Sequence, residues 1–179
     1  MTRTVLRTVL ATGVAAALLS GCGTPEAGSA ATVGDRRISV SDVQSATADI
    51  QAVFGPDQPV PQRNVLFLLA AAPYIEDAAS RSGAGVSLDD ARTQFANKVA
   101  DPSQAALVVI QANASLSRLD QLGQGRTQQV LVEITQRLAK DGFTVNPRYG
   151  TFDPQRGTML SDQPNWLPTP SPTPTPAQQ

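Results

Sequence analysis

The sequence predicts a mainly α fold, a helical bundle of about five helices with a very small β-sheet formed by an N-terminal hairpin and a C-terminal strand. Three observations lead there. Between about Ala30 and Asp153 most segments repeat apolar residues at spacings of three and four, the period of a helix with one buried face. Those segments are bounded by polar capping residues, glycines and prolines. Only the two ends of this body, "ATVGDRRIS" and "FTVNP", read as short extended chain.

At the N-terminal end, Thr32-Val33 and Arg36 to Ile38 flank Gly34-Asp35, a pair suited to a tight hairpin turn. Ser41 followed by Gln44 has the spacing of a capping box and predicts the start of the first helix. Val43, Ala46, Ile50, Val53 and Phe54 then share one face, and Gly55-Pro56 stops the run. Pro61 suits the beginning of a second helix, where a missing N–H costs nothing. Its stretch "VLFLLAAAPYI", Val65 to Ile75, is apolar nearly all round. Eleven such residues are too few to span a bilayer, which takes about 20. Two readings stand for the run, burial at the centre of a bundle or an exposed binding face. Pro73 inside it predicts a kink or a local end.

Ser87 predicts the start of a third helix, its hydroxyl capping the Asp90 N–H while Asp89 and Asp90 face the positive helix end. Leu88, Ala91, Phe95 and Val99 fall on its inner side. Asp101-Pro102 reads as the same device for a fourth helix, in which Ala105, Val109, Ala112, Leu116 and Leu119 form a packing seam. Gly123-Gln124-Gly125 weakens or breaks that helix. Val130, Leu131, Ile134 and Leu138 resume an apolar face, which Lys140-Asp141-Gly142 closes with a cation and a glycine. Phe143 and Val145 then alternate as in a half-buried strand that Asn146-Pro147 ends. A two-stranded hairpin is marginal alone, so this strand is expected beside Thr32-Val33.

Outside the body both ends have a marked composition. Residues 1–21 carry Arg3 and Arg7, then a short apolar run, then small residues, the order of a secretory signal peptide. The only cysteine, Cys22, follows at once and cannot form an internal disulfide, so it is a buried filler, a reactive group, an intermolecular bridge or an attachment point. "LSGC", Leu19 to Cys22, resembles the lipobox of bacterial lipoproteins. That resemblance implies a lipid on the Cys22 sulfur and cleavage before it; the alternative is an ordinary signal peptide with an incidental cysteine. Residues 22–29 would then be a flexible tether. At the far end, residues 154–179 include "PNWLPTPSPTPTPAQQ", which holds six of the 14 prolines; such a stretch is expected to be an extended, disordered tail.

Loss of the leader would leave 12 basic against 15 acidic residues, a net charge of −3. No basic patch invites nucleic acid. With no histidine and a single cysteine, Ser-His-Asp triads, Cys-His dyads and the usual zinc sites are excluded. Carboxylate chemistry stays possible in principle, but Asp89-Asp90 are accounted for by capping. No catalytic residue, metal ligand or cofactor is therefore expected.

"AATVGDRRISVSDV", Ala30 to Val43, resembles the opening of the SurA and PrsA extracytoplasmic chaperones, and "VNPRYGTFD", Val145 to Asp153, is similar to the closing segment of SurA-type domains in actinobacterial lipoproteins. The resemblance spans residues 30–153. It implies a helical module that cradles unfolded secreted polypeptides, on the outer face of the cell membrane. The parvulin-type isomerase domain often inserted in that family has no room here, and its histidines are absent. The family has no fixed client-binding residues; the apolar side chains that suit the task, if the bundle leaves them exposed, are Phe54, Leu66, Phe67 and Tyr74. The other class of function compatible with the sequence is a structural or adaptor lipoprotein that binds one folded cell-envelope partner.

Overall fold

The computed structural model describes residues 27–160 apart from positions 97 and 124. The leader, Cys22, most of the tether and the proline-rich part of the tail lie outside the described residues. The chain runs β1 (Ser29–Val33), β2 (Arg36–Ser39), α1 (Val40–Phe54), α2 (Gln62–Arg81), α3 (Leu88–Thr93), α4 (Gln104–Gln121), α5 (Arg126–Asp141), β3 (Phe143–Val145), a 3-10 turn (Pro147–Tyr149), β4 (Thr151–Asp153) and β5 (Thr158–Leu160). The fold is mainly α with five helices and small antiparallel sheets, as the sequence predicts.

The first sheet has the order β2-β1-β3. Thr32 faces Arg37 on one side and Thr144 on the other, and Val33 faces Phe143. Both ends of the body thus meet in the sheet. Asn146 locks the junction, its backbone N–H donating to Ala30 O (2.9 Å) and its amide to Ser29 O (3.0 Å).

α1 begins two residues earlier than the Ser41–Gln44 pair suggests. Ser39 is the N-cap, accepting from Asp42 N at 3.0 Å while Ser39 N donates to Asp42 Oδ2 at 3.2 Å. The reason is that β2 passes straight into the helix, so one serine closes the strand and caps α1. At α4 the cap is likewise Ser103, not Asp101; its hydroxyl accepts from Ala106 N. Ser103 N in turn donates to Asp49 Oδ2 (2.8 Å), which fixes the start of α4 against α1. The Ser87–Asp90 box of α3 forms as expected.

α4 is the central helix, packed against α1, α2, α3 and α5. Leu107, Ala112 and Leu119 are almost fully buried, with Val43, Leu66, Ile75, Ile134 and Leu138 from the other helices and Phe95 from the turn after α3. The connection from α2 to α3 is pinned to α4 by Gln111, Ser115 and Arg118, spaced one turn apart, which bond Val86 O, Val86 N and Gly85 O.

α2 does not end at Pro73. It runs on to Arg81, roughly two further turns. Proline has no N–H to offer Leu69 O, and its ring crowds the preceding turn. Arg36, reaching in from β2, supplies the missing donor to Leu69 O at 3.1 Å and a second bond to Ala70 O at 2.6 Å.

A second two-stranded sheet, β4-β5, was not expected. The boundary placed at residue 153 is corrected by it, since β5 lies within the stretch assigned to the tail. Asp153 Oδ1 accepts from Gln155 N and Arg156 N, and Gly157 N donates to Asp153 O. Gly157 has φ 63°, and a Cβ there would stand 2.5 Å from Thr135 Oγ1 on α5. Asp and Gly in these places make a tight turn out of what reads as tail composition.

Candidate functional site

The four apolar residues singled out from the sequence go to different places. Leu66 is fully buried, so it fails the condition of exposure on which its binding role rested. Phe67 is half-buried under the β4-β5 hairpin, stacked on Phe152 at 6.3 Å, and Phe152 meets Phe143 edge-on at 5.0 Å. Tyr74 faces α5; its hydroxyl donates to Asp141 Oδ2 at 2.5 Å and the Arg137 guanidinium lies 6.0 Å from its ring. Burial, then the bond to Asp141, raises its pKa. Phe54 alone stands out from the surface, 49% exposed at the end of α1.

Of the two readings of Val65 to Ile75, the structure selects burial. Val65, Leu66, Leu69, Ala70, Ala71, Ala72 and Ile75 are all in the core. Below them α2 meets α5 through charge: Arg81 and Arg137 each pair with both Asp77 and Glu133, at 2.8 to 3.5 Å. These groups are largely solvent-exposed, so their effect is on helix pairing more than on stability.

Phe54 rims an apolar cleft of about 270 Å³. Its walls are Ile50 of α1, Pro59, Val60 and Pro61 from the α1–α2 connection, Leu68 of α2 and Ile110 of α4. The connection is held in shape by Gln51, whose side chain donates to Gly55 O and to Gln58 O (3.1 Å) and accepts from Val60 N (2.9 Å). One glutamine therefore sets the prolines that form the wall. Sequence reasoning took Phe54 and missed the rest, because "PDQPVPQ" reads only as the end of one helix and the start of the next.

A larger groove, about 470 Å³, with charged as well as apolar residues in its lining, lies between β2, α2 and α4. Arg36 and Glu76 face it, with Ile38, Pro73, Val108 and Gln111. Burial lowers the pKa of Arg36, whose charge is spent on the Leu69 and Ala70 carbonyls. Burial raises that of Glu76, opposed by the hydrogen bond from Ser115 Oγ at 2.9 Å. Among the described residues no group of three metal-ligating side chains gathers, and no helix is long and apolar enough to cross a membrane.

These features define a small helical domain whose apolar recess is an open cleft at one end of α1. No protein-family model matches the chain, and no curated protein or solved structure matches it.

Proposed function

We propose that this chain is a membrane-anchored extracytoplasmic lipoprotein, tethered through Cys22, whose helical body binds apolar side chains of unfolded or partly folded secreted proteins without chemistry. The observation that carries the reading is Phe54, half-exposed at the rim of a cleft walled by prolines and aliphatic side chains. An open apolar recess with a large aromatic at its mouth takes an apolar side chain from an extended segment. Each large side chain buried there contributes on the order of 1.5 to 3 kcal/mol before ordering costs, so binding is weak and broad. The leader and "LSGC" support the tether, and the SurA-like end motifs support the choice of client.

One observation favours the second reading, an adaptor for a single folded envelope partner. The apolar run of α2 is used up in the core, so the binding surface is narrower than a chaperone cradle needs. An aggregation assay without ATP separates the two. The full chain is expected to slow aggregation of several unrelated denatured proteins, Phe54→Asp to lose most of that effect, and Tyr74→Ser to keep it. No effect at several-fold molar excess, with tight capture of one folded partner, would establish the adaptor. For the tether, fatty-acid labelling is expected to mark the wild type and not Cys22→Ala.

A further inference from the structure

The Phe54 cleft and the last described strand share a border. Asn64 and Leu68 line the cleft, and the same two residues, with Phe67, line a smaller recess against Gly157, Thr158 and Met159. Pro61 lines the cleft too, and it also shares a recess with Gly150, whose neighbour Thr151 pairs with Leu160. The chain therefore leaves the described body beside the first two turns of α2. The residues that follow are "SDQPNWLP". Trp166 is the only tryptophan of the chain, and Trp166-Leu167 are the only large apolar residues beyond Leu160. Six residues of extended chain reach about 20 Å, whereas Asn64 and Leu68 are only about 6 Å apart along α2.

We propose that Trp166 folds back and seats in the Phe54 cleft, making the chain's own tail the resident occupant against which any incoming apolar segment competes. The chemistry of the two surfaces matches. Phe54, Pro59 and Pro61 offer flat, rigid apolar faces, and Gln58, Asn64 and Asn113 at the same cleft carry amide oxygens for the indole N–H, which needs a partner when buried. A proline at 164 and another at 168 restrict the backbone freedom of any segment that carries them, so less is lost on docking. A short connection raises the effective concentration of the tail to the order of millimolar, enough for a contact that would be negligible between separate molecules.

The cleft is shared with the proposed function, but the occupant is tested without any client. In the full chain, Trp166 fluorescence is expected to be blue-shifted and shielded from acrylamide at every protein concentration. Phe54→Asp is expected to return it to the emission of the denatured chain, with the helical circular dichroism unchanged, while Leu122→Asp, at an exposed apolar residue elsewhere, leaves it shielded. Trp166→Ser is expected to raise binding of an apolar dye several-fold. Solvent-like emission from the full chain, shielding that survives in folded Phe54→Asp, or no rise in dye binding would overturn the proposal. Shielding that appears only as concentration rises would also overturn it, assigning the tail to a second copy. If Phe54→Asp unfolds, the dye measurement on Trp166→Ser decides. Shielding without any anti-aggregation effect, even in Trp166→Ser, would sink the chaperone reading and leave the docked tail standing; the converse result would do the reverse.

Discussion

Arg36 is worth more than its place on a short edge strand suggests. It donates to Leu69 O, the carbonyl that Pro73 leaves without an N–H in the middle of α2, and to Ala70 O beside it, and hydrogen bonds from a charged donor are each worth about 1.5 to 3 kcal/mol. Arg36→Ala is therefore expected to lower stability by about 2 to 3 kcal/mol in urea denaturation. In a Pro73→Ala background, which restores an N–H for Leu69 O, the same change is expected to cost at least ~1 kcal/mol less; strict additivity would contradict the pairing. Glu76 makes a pH-dependent contribution of opposite kind. Burial raises its pKa in the folded state, so the folded chain binds more protons than the unfolded one through that window, and stability falls as pH rises through it. Below the ordinary carboxyl pKa both states are protonated and the penalty vanishes. Glu76→Gln keeps an acceptor for Ser115, and is expected to raise the melting temperature modestly at pH 7 and leave it almost unchanged at pH 4. A gain of equal size at both pH values would refute the assignment.

At the scale of elements, the β4-β5 hairpin closes over the first two turns of α2. Phe152 brings Phe67 and Phe143 together, so Phe152→Ala is expected to cost roughly 2 kcal/mol, below the 3 to 5 of a fully buried aromatic. Truncation after Gly142 removes β3, the partner of β1, and is expected to abolish cooperative thermal unfolding, because a three-strand sheet this small cannot lose a member. Truncation after Asp153 keeps β3 but removes β5 and all that follows it, and is expected to lower the melting temperature without abolishing the transition. Equal effects from the two would contradict the order of importance. The elements were largely legible in sequence where a local signal fixed them: Gly55 and Gly142 at helix ends, the Ser87–Asp90 box, and the pairing of Thr32-Val33 with Phe143 to Val145. The start of α1 slipped where two serines competed within two residues, and Ser39 won because the preceding strand already held its backbone extended. The continuation of α2 past Pro73 could not be read locally, because the donor that permits it lies 33 residues upstream. The second hairpin went unread because its turn and last strand, Pro154 to Leu160, fall in a stretch read as tail.

For the described body as a whole, the strands before and after the helices meet: β1 and β3 lie side by side, Asn146 is bonded to Ser29 and Ala30, and the five helices lie between them in sequence. That closure leaves one end of α1 and the start of α2 facing outward, with Phe54 and the prolines of the α1–α2 connection around an apolar cleft. The cleft was only partly legible in sequence, since Phe54 belongs to a periodic face while Pro59 and Pro61 acquire their role only through Gln51 and the approach of Ile110 on α4. The most direct test of its role is site-specific crosslinking with benzoylphenylalanine in place of Phe54 or of Val132, an equally exposed apolar residue on α5, in the presence of a denatured secreted protein. The expected result is adducts to the client from position 54 and almost none from position 132, with more from position 54 when Trp166 is also changed to serine. Equal yields from the two positions, or none from position 54 in either background, would contradict the cleft as the binding site.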